Sequence, residues 1–242
     1  FRDNVSPDYL ITAGRKSVYL SLYLKNKLKD NLTTIHIQDP KIDSQSFDYV
    51  IAPEHDFIQG PNVIKSVLAI NHINEKLLFL ESDKFKEKLS SLDKPIVTLI
   101  IGGKSNNYIF DNAALVSLSR MIDDTVNNNS ISLVILFSRR TESFIKEHLI
   151  NRYSKMHTVW TDESNNPYLT LLSQSSCLIC TSDSVSMISE AVCSKKPVFI
   201  FRLKSKKKSN RIEIFNEKLL KLGYTKELSS KLTFDKTDYV NE

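Results

Sequence analysis

The sequence predicts an α/β protein built on parallel sheets and organised in two parts. The second part reads as a nearly complete doubly wound unit. Three observations carry this. From about residue 95 onward, short continuous apolar runs alternate with helical patterns, as expected for βαβ units whose strands are buried on both faces. Residues 177–201, CLICTSDSVSMISEAVCSKKPVFIF, show the pattern in miniature: apolar run, polar cluster, helix, apolar run. The chain also holds only 5 Gly, against roughly 17 expected at average usage. A chain that avoids Gly keeps it where the backbone requires it. Gly14, Gly102 and Gly103 each follow a strand-like run.

Each element has its own warrant. In the first part, strands are predicted at 8–13, 32–37 and 48–52, with a helix over about 15–29 and another over about 74–90. Ser90-Ser91 and Pro95 then interrupt the pattern, which sets a first domain at 1–93 and a second at 94–242. There follow strand 96–101, helix 111–126, strand 131–137, helix 141–153 and strand 157–160. Helix 166–174 has Asn as its cap and Pro at its first position. Strand 177–180 leads to Thr181-Ser182-Asp183-Ser184, a cluster of N-cap residues, so the helix over 185–194 starts at Ser184 or Val185. Strand 197–201 and helix 211–222 complete the series, with Gly223 as a C-cap. The first part has too few βα units to match the second. Neither an internal repeat nor a low-complexity linker is present.

Composition narrows the function classes. A chain of 242 residues with 41% hydrophobic and 25% charged residues is ordinary for a soluble globular protein. No apolar run approaches the roughly 20 residues of a membrane span, and Phe1-Arg2-Asp3-Asn4 does not open a signal peptide. The chain begins without Met and runs almost at once into strand pattern, as a fragment would. Three cysteines argue against a disulfide framework. Cys177 and Cys180 fall on opposite faces of a strand, so they read as buried thiols in a reducing, cytoplasmic setting and not as a metal pair. Of the 33 basic residues behind the net charge of +5, 8 are Arg. Lys204, Lys206, Lys207 and Lys208, with Arg202 and Arg211 beside them, form either a solvated loop or a contact with an anionic membrane surface. A nucleic-acid partner is not expected.

Strand-end loops carry the candidate chemistry. Gly14 with Arg15, and Gly102, Gly103 with Lys104, lie where a backbone can approach a ligand closely. Ser138, Arg139 and Arg140 open a helix, where arginine can grip phosphate bidentately. Asn166, Pro167 and Tyr168 start another, and can offer backbone groups and an aromatic face to a base. Ser182, Asp183, Ser184, Ser186 and Met187 lead into a helix whose N-terminus suits an anion. Glu190 lies one turn beyond Ser186, and a carboxylate there suits ribose hydroxyls. The alternative for that helix is a plain cap with a solvated Glu. In the first part, Glu54, His55 and Asp56 follow a strand; His55 can act as a general base with a carboxylate orienting it, or the three close a loop. The dinucleotide G-x-G-x-x-G, the P-loop, H-x-x-x-H and G-x-S-x-G patterns are absent, and no metal site is expected.

Taken in order, AGRK (13–16), PEHD (53–56), PNV (61–63), IGG (101–103), SRRT (138–141), NNPY (165–168), TSDSVSMISEA (181–191) and KPV (196–198) resemble the "elongated mitochondria" mitochondrial-fission family and its bacterial relatives. That family is similar to the GT-B glycosyltransferase superfamily. The resemblance therefore implies two Rossmann-like domains facing a cleft. The C-terminal one would hold a nucleotide-diphosphate sugar as substrate, with no cofactor, and Glu190 would hold the ribose. His55 would be the acceptor-side base. Transfer would be metal-independent and would serve cell-envelope glycan synthesis, on an acceptor the sequence does not name. A catalytically silent scaffold at a membrane surface, or a nucleotide-sugar epimerase, are the alternatives. Two departures stand out. Family members usually begin with a further strand and a Gly-rich loop before PDYL, so the N-terminal domain is expected to be incomplete. Where relatives tend to have Gly before KPV, this chain has Ser194-Lys195.

Overall fold

The computed structural model describes residues 7–93, 95–207 and 210–234. Its compact units divide between Ile70 and Asn71, and each is described by itself.

In the first unit, β1 (Tyr9–Ala13), α1 (Val18–Leu28), β2 (Thr33–Ile37), β3 (Tyr49–Pro53) and β4 (Val63–Ser66) follow in sequence. The strands form an all-parallel sheet in the order β1-β2-β3-β4. α1 turns Val18 inward, and Val18 joins Phe47, Val50 and Ala52 in a small core. Among the described residues, α1 packs on one face of this sheet, and the opposite face carries exposed apolar side chains. Register puts Ile11 beside Ile35, Ile35 beside Tyr49, and Ile51 beside Ile64. Along that face Tyr9, Ile11, Tyr49 and Ile64 are 67%, 64%, 47% and 52% exposed. The sequence did not mark β4, whose four residues, VIKS, are too short and too mixed to show a period.

The second unit begins with α2 (Glu75–Glu81) and α3 (Lys86–Leu89), then β5 (Ile96–Ile101), β6 (Tyr108–Ile109), α4 (Asn112–Asn128) and β7 (Ser132–Phe137). α5 (Ser143–Tyr153), β8 (Thr158–Val159), α6 (Tyr168–Gln174), β9 (Cys177–Thr181) and α7 (Val185–Cys193) follow. β10 (Val198–Phe201), β11 (Lys204–Ser205), α8 (Arg211–Lys221) and β12 (Lys226–Glu227) complete it. Six strands form one parallel sheet in the order β12-β10-β9-β5-β7-β8. Numbered from β5, that is the 3-2-1-4-5-6 order of dinucleotide-binding folds. One face of the sheet packs Val97, Leu99, Leu133, Ile135 and Ile179 against Leu118 and Ile122 of α4 and Ile145 and Leu149 of α5. The other packs Ile96, Val134 and Leu136 against Leu89 of α3 and Leu171 of α6. Every residue of β5, β9 and β10 is buried, which is why those strands read as unbroken apolar runs. Burial pushes the Cys177 thiol up to about 12 and raises that of Cys180 as well.

Two boundaries differ from the sequence reading. The helix expected over 74–90 is two helices, and both belong to the second unit, so the division falls at 70/71 and not at 93/94. Thr170 Oγ1 donates to the Glu81 carbonyl (2.7 Å) and Gln174 Nε2 to that of Ser82 (3.3 Å). Phe85, between the two helices, meets Trp160 edge-on at 5.3 Å. These contacts fasten residues 71–93 to α6 and β8. The antiparallel β6–β11 ribbon was also unmarked; it pairs Tyr108 with Ser205 and Ile109 with Lys204. Among the described residues no helix is long and apolar enough to cross a membrane.

Candidate functional site

The winding of the second sheet reverses between β5 and β9, and in open α/β sheets ligands gather outside the strands' carboxyl ends at that point. The loops after β5, β7 and β9 are neighbours there because those three strands are adjacent and parallel. The turn after β8 lies beside the loop after β7 in the sheet order.

A buried network sets the shape of these loops. The Gly102 N–H donates to Thr181 Oγ1 (2.8 Å) and the Gly103 N–H to Asp183 Oδ2 (3.0 Å). Thr181 Oγ1 donates to Asp183 Oδ1 (2.6 Å). Thr141 Oγ1 donates to the Ile101 and Gly102 carbonyls. Arg140 donates from Nη1 to the Lys104 carbonyl (3.0 Å), and its Nη2 stands 3.5 Å from Asp183 Oδ2. A Cβ on Gly102 would lie 2.1 Å from Asp183 Oδ1, and one on Gly103 would lie 2.0 Å from the Arg140 carbonyl oxygen. The sequence reading gave these glycines to the close approach of a ligand. In the structure they make room for the protein's own Asp183 and Arg140.

The same geometry redistributes the other expected roles. The Asp183 side chain is fully enclosed, and Ser182 Oγ accepts from the Leu203 N–H at 2.9 Å while its carbonyl accepts from Asn216. Both residues hold the loop instead of facing a ligand, and Pro167 and Met187 are likewise buried. Arg140 is committed to the loop. Arg139 is exposed and makes no hydrogen bond or ion pair among the described residues. Lys104 is exposed. Ser138 Oγ accepts from the Arg140 N–H at 3.2 Å and so shapes the turn.

Ser184 caps α7, its Oγ accepting from the Met187 N–H. Ser186 is exposed beside it, so the first turn of α7 presents hydroxyls and orphan N–H groups at the positive end of the helix dipole. One turn along, Glu190 is half-buried, and the Tyr168 hydroxyl donates to its Oε2 at 2.7 Å. Asn166 Oδ1 accepts from the Tyr168 N–H at 2.9 Å, which fixes the start of α6. The Tyr168 ring packs on the Val134–Leu136–Leu171 cluster, so it does not offer the open aromatic face the sequence reading gave it. Burial, and after it the Glu190 charge, raises the Tyr168 hydroxyl above its ordinary pKa, which keeps it a donor.

Sequence reasoning missed a cavity of about 190 Å³ beside this turn, lined by Leu136, Phe137, Lys146, Trp160, Asp162 and Asn166 among others. Trp160 Nε1 donates to the Asp162 and Asn165 carbonyls at 3.0 and 2.9 Å and so braces the loop. That a chain with a single Trp places it at a strand end was the available signal. Thr141 and Thr181, the hydroxyls that anchor the network, stood inside the SRRT and TSDS stretches without being singled out.

The remaining candidates lie elsewhere. Gly14 takes φ +76° after β1, and Arg15 beside it is exposed. Glu54, His55 and Asp56 form a single 3-10 turn at the end of β3 and are all half-buried. Phe57 closes that turn in the left-handed region at φ +59°. These belong to the first unit. Lys204, Lys206 and Lys207 are exposed on and beside the β6–β11 ribbon, and Lys208 lies outside the described residues. Arg202 is withdrawn from that basic surface by ion pairs to Glu213, Glu217 and Glu227 at 2.8–2.9 Å.

The chain is similar to known proteins at two levels. The uncharacterized protein RP120 of Rickettsia prowazekii is 30% identical over 234 residues, 82% of this chain and 66% of that protein. The mitochondrial fission protein ELM1 of Arabidopsis thaliana is 24% identical over 222 residues, 80% of this chain and 51% of that one. The chain thus spans between half and two thirds of the relatives it matches. In structure it is similar to the UDP-GlcNAc 2-epimerase of Methanocaldococcus jannaschii, with a TM-score of 0.59 at 13% identity, over 93% of this chain and 67% of the enzyme. That similarity shows the fold, which is α/β and GT-B-like. The family described as mitochondrial fission ELM1 matches residues 2–242, and the chain belongs to that family.

Proposed function

We propose that the second unit binds a nucleoside-diphosphate sugar at the carboxyl ends of β5, β7 and β9, as a glycosyltransferase-like protein. One observation carries this reading. The loops after β7 and β9, at the reversal point of a 3-2-1-4-5-6 sheet, carry the exposed Arg139 and the N-terminus of α7, with the held carboxylate of Glu190 one turn along. Each suits one part of such a ligand. A diphosphate takes orphan helix N–H groups and a guanidinium. Ribose hydroxyls donate to a carboxylate. The cavity beside Trp160 and Asn166 has room for a base. During transfer, α7 and Arg139 would stabilise the charge that develops on the departing diphosphate. The structural likeness to a UDP-GlcNAc 2-epimerase favours one second reading, epimerisation of a nucleotide sugar, which uses the same binding site.

The test is calorimetric titration of the chain with UDP, GDP, CDP and ADP, repeated on Glu190→Ala. Loss of a hydrogen bond to a charged group costs about 1.5–3 kcal/mol, so the variant should bind the preferred nucleotide roughly tenfold to a hundredfold more weakly with an unchanged fold. Equal affinity would remove Glu190 from the site. If no nucleotide binds while anionic vesicles do, a membrane scaffold should replace this reading.

A further inference from the structure

We propose that Tyr168 is the positioning residue that makes this site selective for ribose over 2′-deoxyribose. The inference rests on the nucleotide reading above and adds to it how the site tells one sugar from another.

A flexible carboxylate is a poor judge of a vicinal diol. Glu has three side-chain torsions, and ordering them costs conformational entropy. Glu190 is ordered before any ligand arrives. Its Oε2 accepts the Tyr168 hydroxyl at 2.7 Å, while Oε1 has no partner among the described residues. One oxygen is held and the other is offered. Tyr168 in turn is fixed at three points. Its N–H is capped by Asn166, its predecessor Pro167 is buried, and its ring is wedged into the cluster of Leu89, Ile96, Val134, Leu136 and Leu171. The hydroxyl therefore sits on a rigid arm reaching from α6 to α7. Glu190 is flanked by Ser189 and Ala191, both buried, so the helix beneath it is anchored as well. A carboxylate oriented in this way meets hydroxyls without an ordering cost, and the gain is confined to ligands that carry the hydroxyl.

The experiment compares Tyr168→Phe with the wild-type chain in calorimetric titrations with UDP and 2′-deoxy-UDP, and with GDP and 2′-deoxy-GDP. Phe keeps the ring, so thermal unfolding should stay close to wild type. For the base that binds, Tyr168→Phe should weaken the ribonucleotide about fivefold to tenfold and leave the deoxynucleotide unchanged, so the ribose preference falls by the same factor. In a Glu190→Gln background, Tyr168→Phe should produce no further loss of preference. A purely structural role for Tyr168 would weaken both sugars equally, and that result overturns the proposal while leaving the nucleotide reading in place. An unchanged preference overturns it in the same way. Absence of any binding by the wild-type chain overturns the nucleotide reading and this inference with it.

Discussion

The two sheets of this chain are both parallel, yet one is enclosed and the other is half open. In the second unit β5, β9 and β10 are buried at every residue, with helices on both faces. In the first unit the side of the sheet away from α1 exposes Tyr9, Ile11, Tyr49 and Ile64. Parallel sheets are almost always covered on both faces; the described residues cover both faces of the second sheet and one face of the first. The difference traces to winding. The second sheet reverses direction at β5, and its helices therefore fall on both faces. The first adds strands in one direction only, and its crossover helix, α1, packs on the face that holds Val50 and Ala52. The same reversal creates the crevice that carries the candidate site. Coverage and chemistry thus have one topological cause.

The largest effect expected from this comparison is at the glycines. A Cβ on Gly103 would meet main-chain atoms of Arg140 at 2.0 Å and 2.2 Å, and backbone cannot step aside cheaply. Gly103→Ala should cost about 3 kcal/mol or more, read as a fall in the urea midpoint or as insoluble protein. Gly14, its counterpart in the first unit, has no atom nearer than 3.8 Å to such a Cβ, but its φ is +76°. Gly14→Ala should cost about 1–3 kcal/mol through backbone strain alone. Equal losses would mean that the loop network of the second unit is looser than its hydrogen bonds imply.

A second pair of substitutions tests the faces directly. Leu99 is fully buried in β5, whereas Ile11 is 64% exposed in β1. Leu99→Ala should cost about 2–5 kcal/mol through transfer and cavity terms, and Ile11→Ala within about 1 kcal/mol. Amide exchange, read by mass spectrometry, reports each sheet separately. Should Ile11→Ala prove as costly as Leu99→Ala, the open face is covered in solution and the contrast fails.

How legible the fold was follows the same contrast. Strands buried on both faces, such as IVTLII and VFIF, announce themselves as apolar runs, and each was readable with its helices. The start of α7 at Ser184 or Val185 was readable from its cluster of cap residues, because cap chemistry is local. β4 was not, since a half-exposed edge strand with Lys65 has no pattern. Nor was the assignment of α2 and α3, which depends on Thr170 and Phe85 contacts between distant residues. The site was legible as a set of loops but not as a set of roles. Nothing in the TSDS stretch tells that Asp183 points inward and Ser186 outward. Nor does a sequence tell that the Tyr168 hydroxyl is spent on Glu190.

A smaller, pH-dependent effect concerns His36, which lies on the covered side of the first sheet. It is fully buried, its Nδ1 pairs with Thr12 Oγ1 at 2.9 Å, and its Nε2 has no partner among the described residues. Burial lowers its pKa, with Asp39 opposing. The folded state therefore binds the proton less readily than the unfolded chain, so stability is full above the ordinary histidine range and falls as pH drops through it. His157 in the second unit is shifted the same way by burial, with Asp123 opposing. Trp160, the one tryptophan, reports the second unit by fluorescence, and circular dichroism reports both. The dichroism midpoint should fall between pH 7 and pH 5, and His36→Gln should flatten that fall without altering the fluorescence midpoint. A variant with the wild-type pH slope would take the titration away from His36.

The smallest effect lies in the enclosed unit, at the end of the helix that carries Glu190. Lys195 follows α7 at φ +58°, its N–H donating to the Val192 carbonyl at 3.0 Å. This is the left-handed position after a helix where Gly is favoured, because a Cβ there crowds the backbone. Lys195 also pairs with Glu75 at 2.7 Å, but both side chains are largely exposed, and solvent and salt screen such a pair. Relief of strain should therefore outweigh loss of the pair. Lys195→Gly should raise stability by about 0.5–1 kcal/mol, seen as a higher urea midpoint in Trp160 fluorescence. Lys195→Ala separates the two contributions, since it removes the ammonium and keeps the Cβ. It should not stabilise. If Ala and Gly behave alike, the left-handed backbone carries no strain at this position. If both destabilise, the Lys195–Glu75 pair is what fastens the end of α7 to α2.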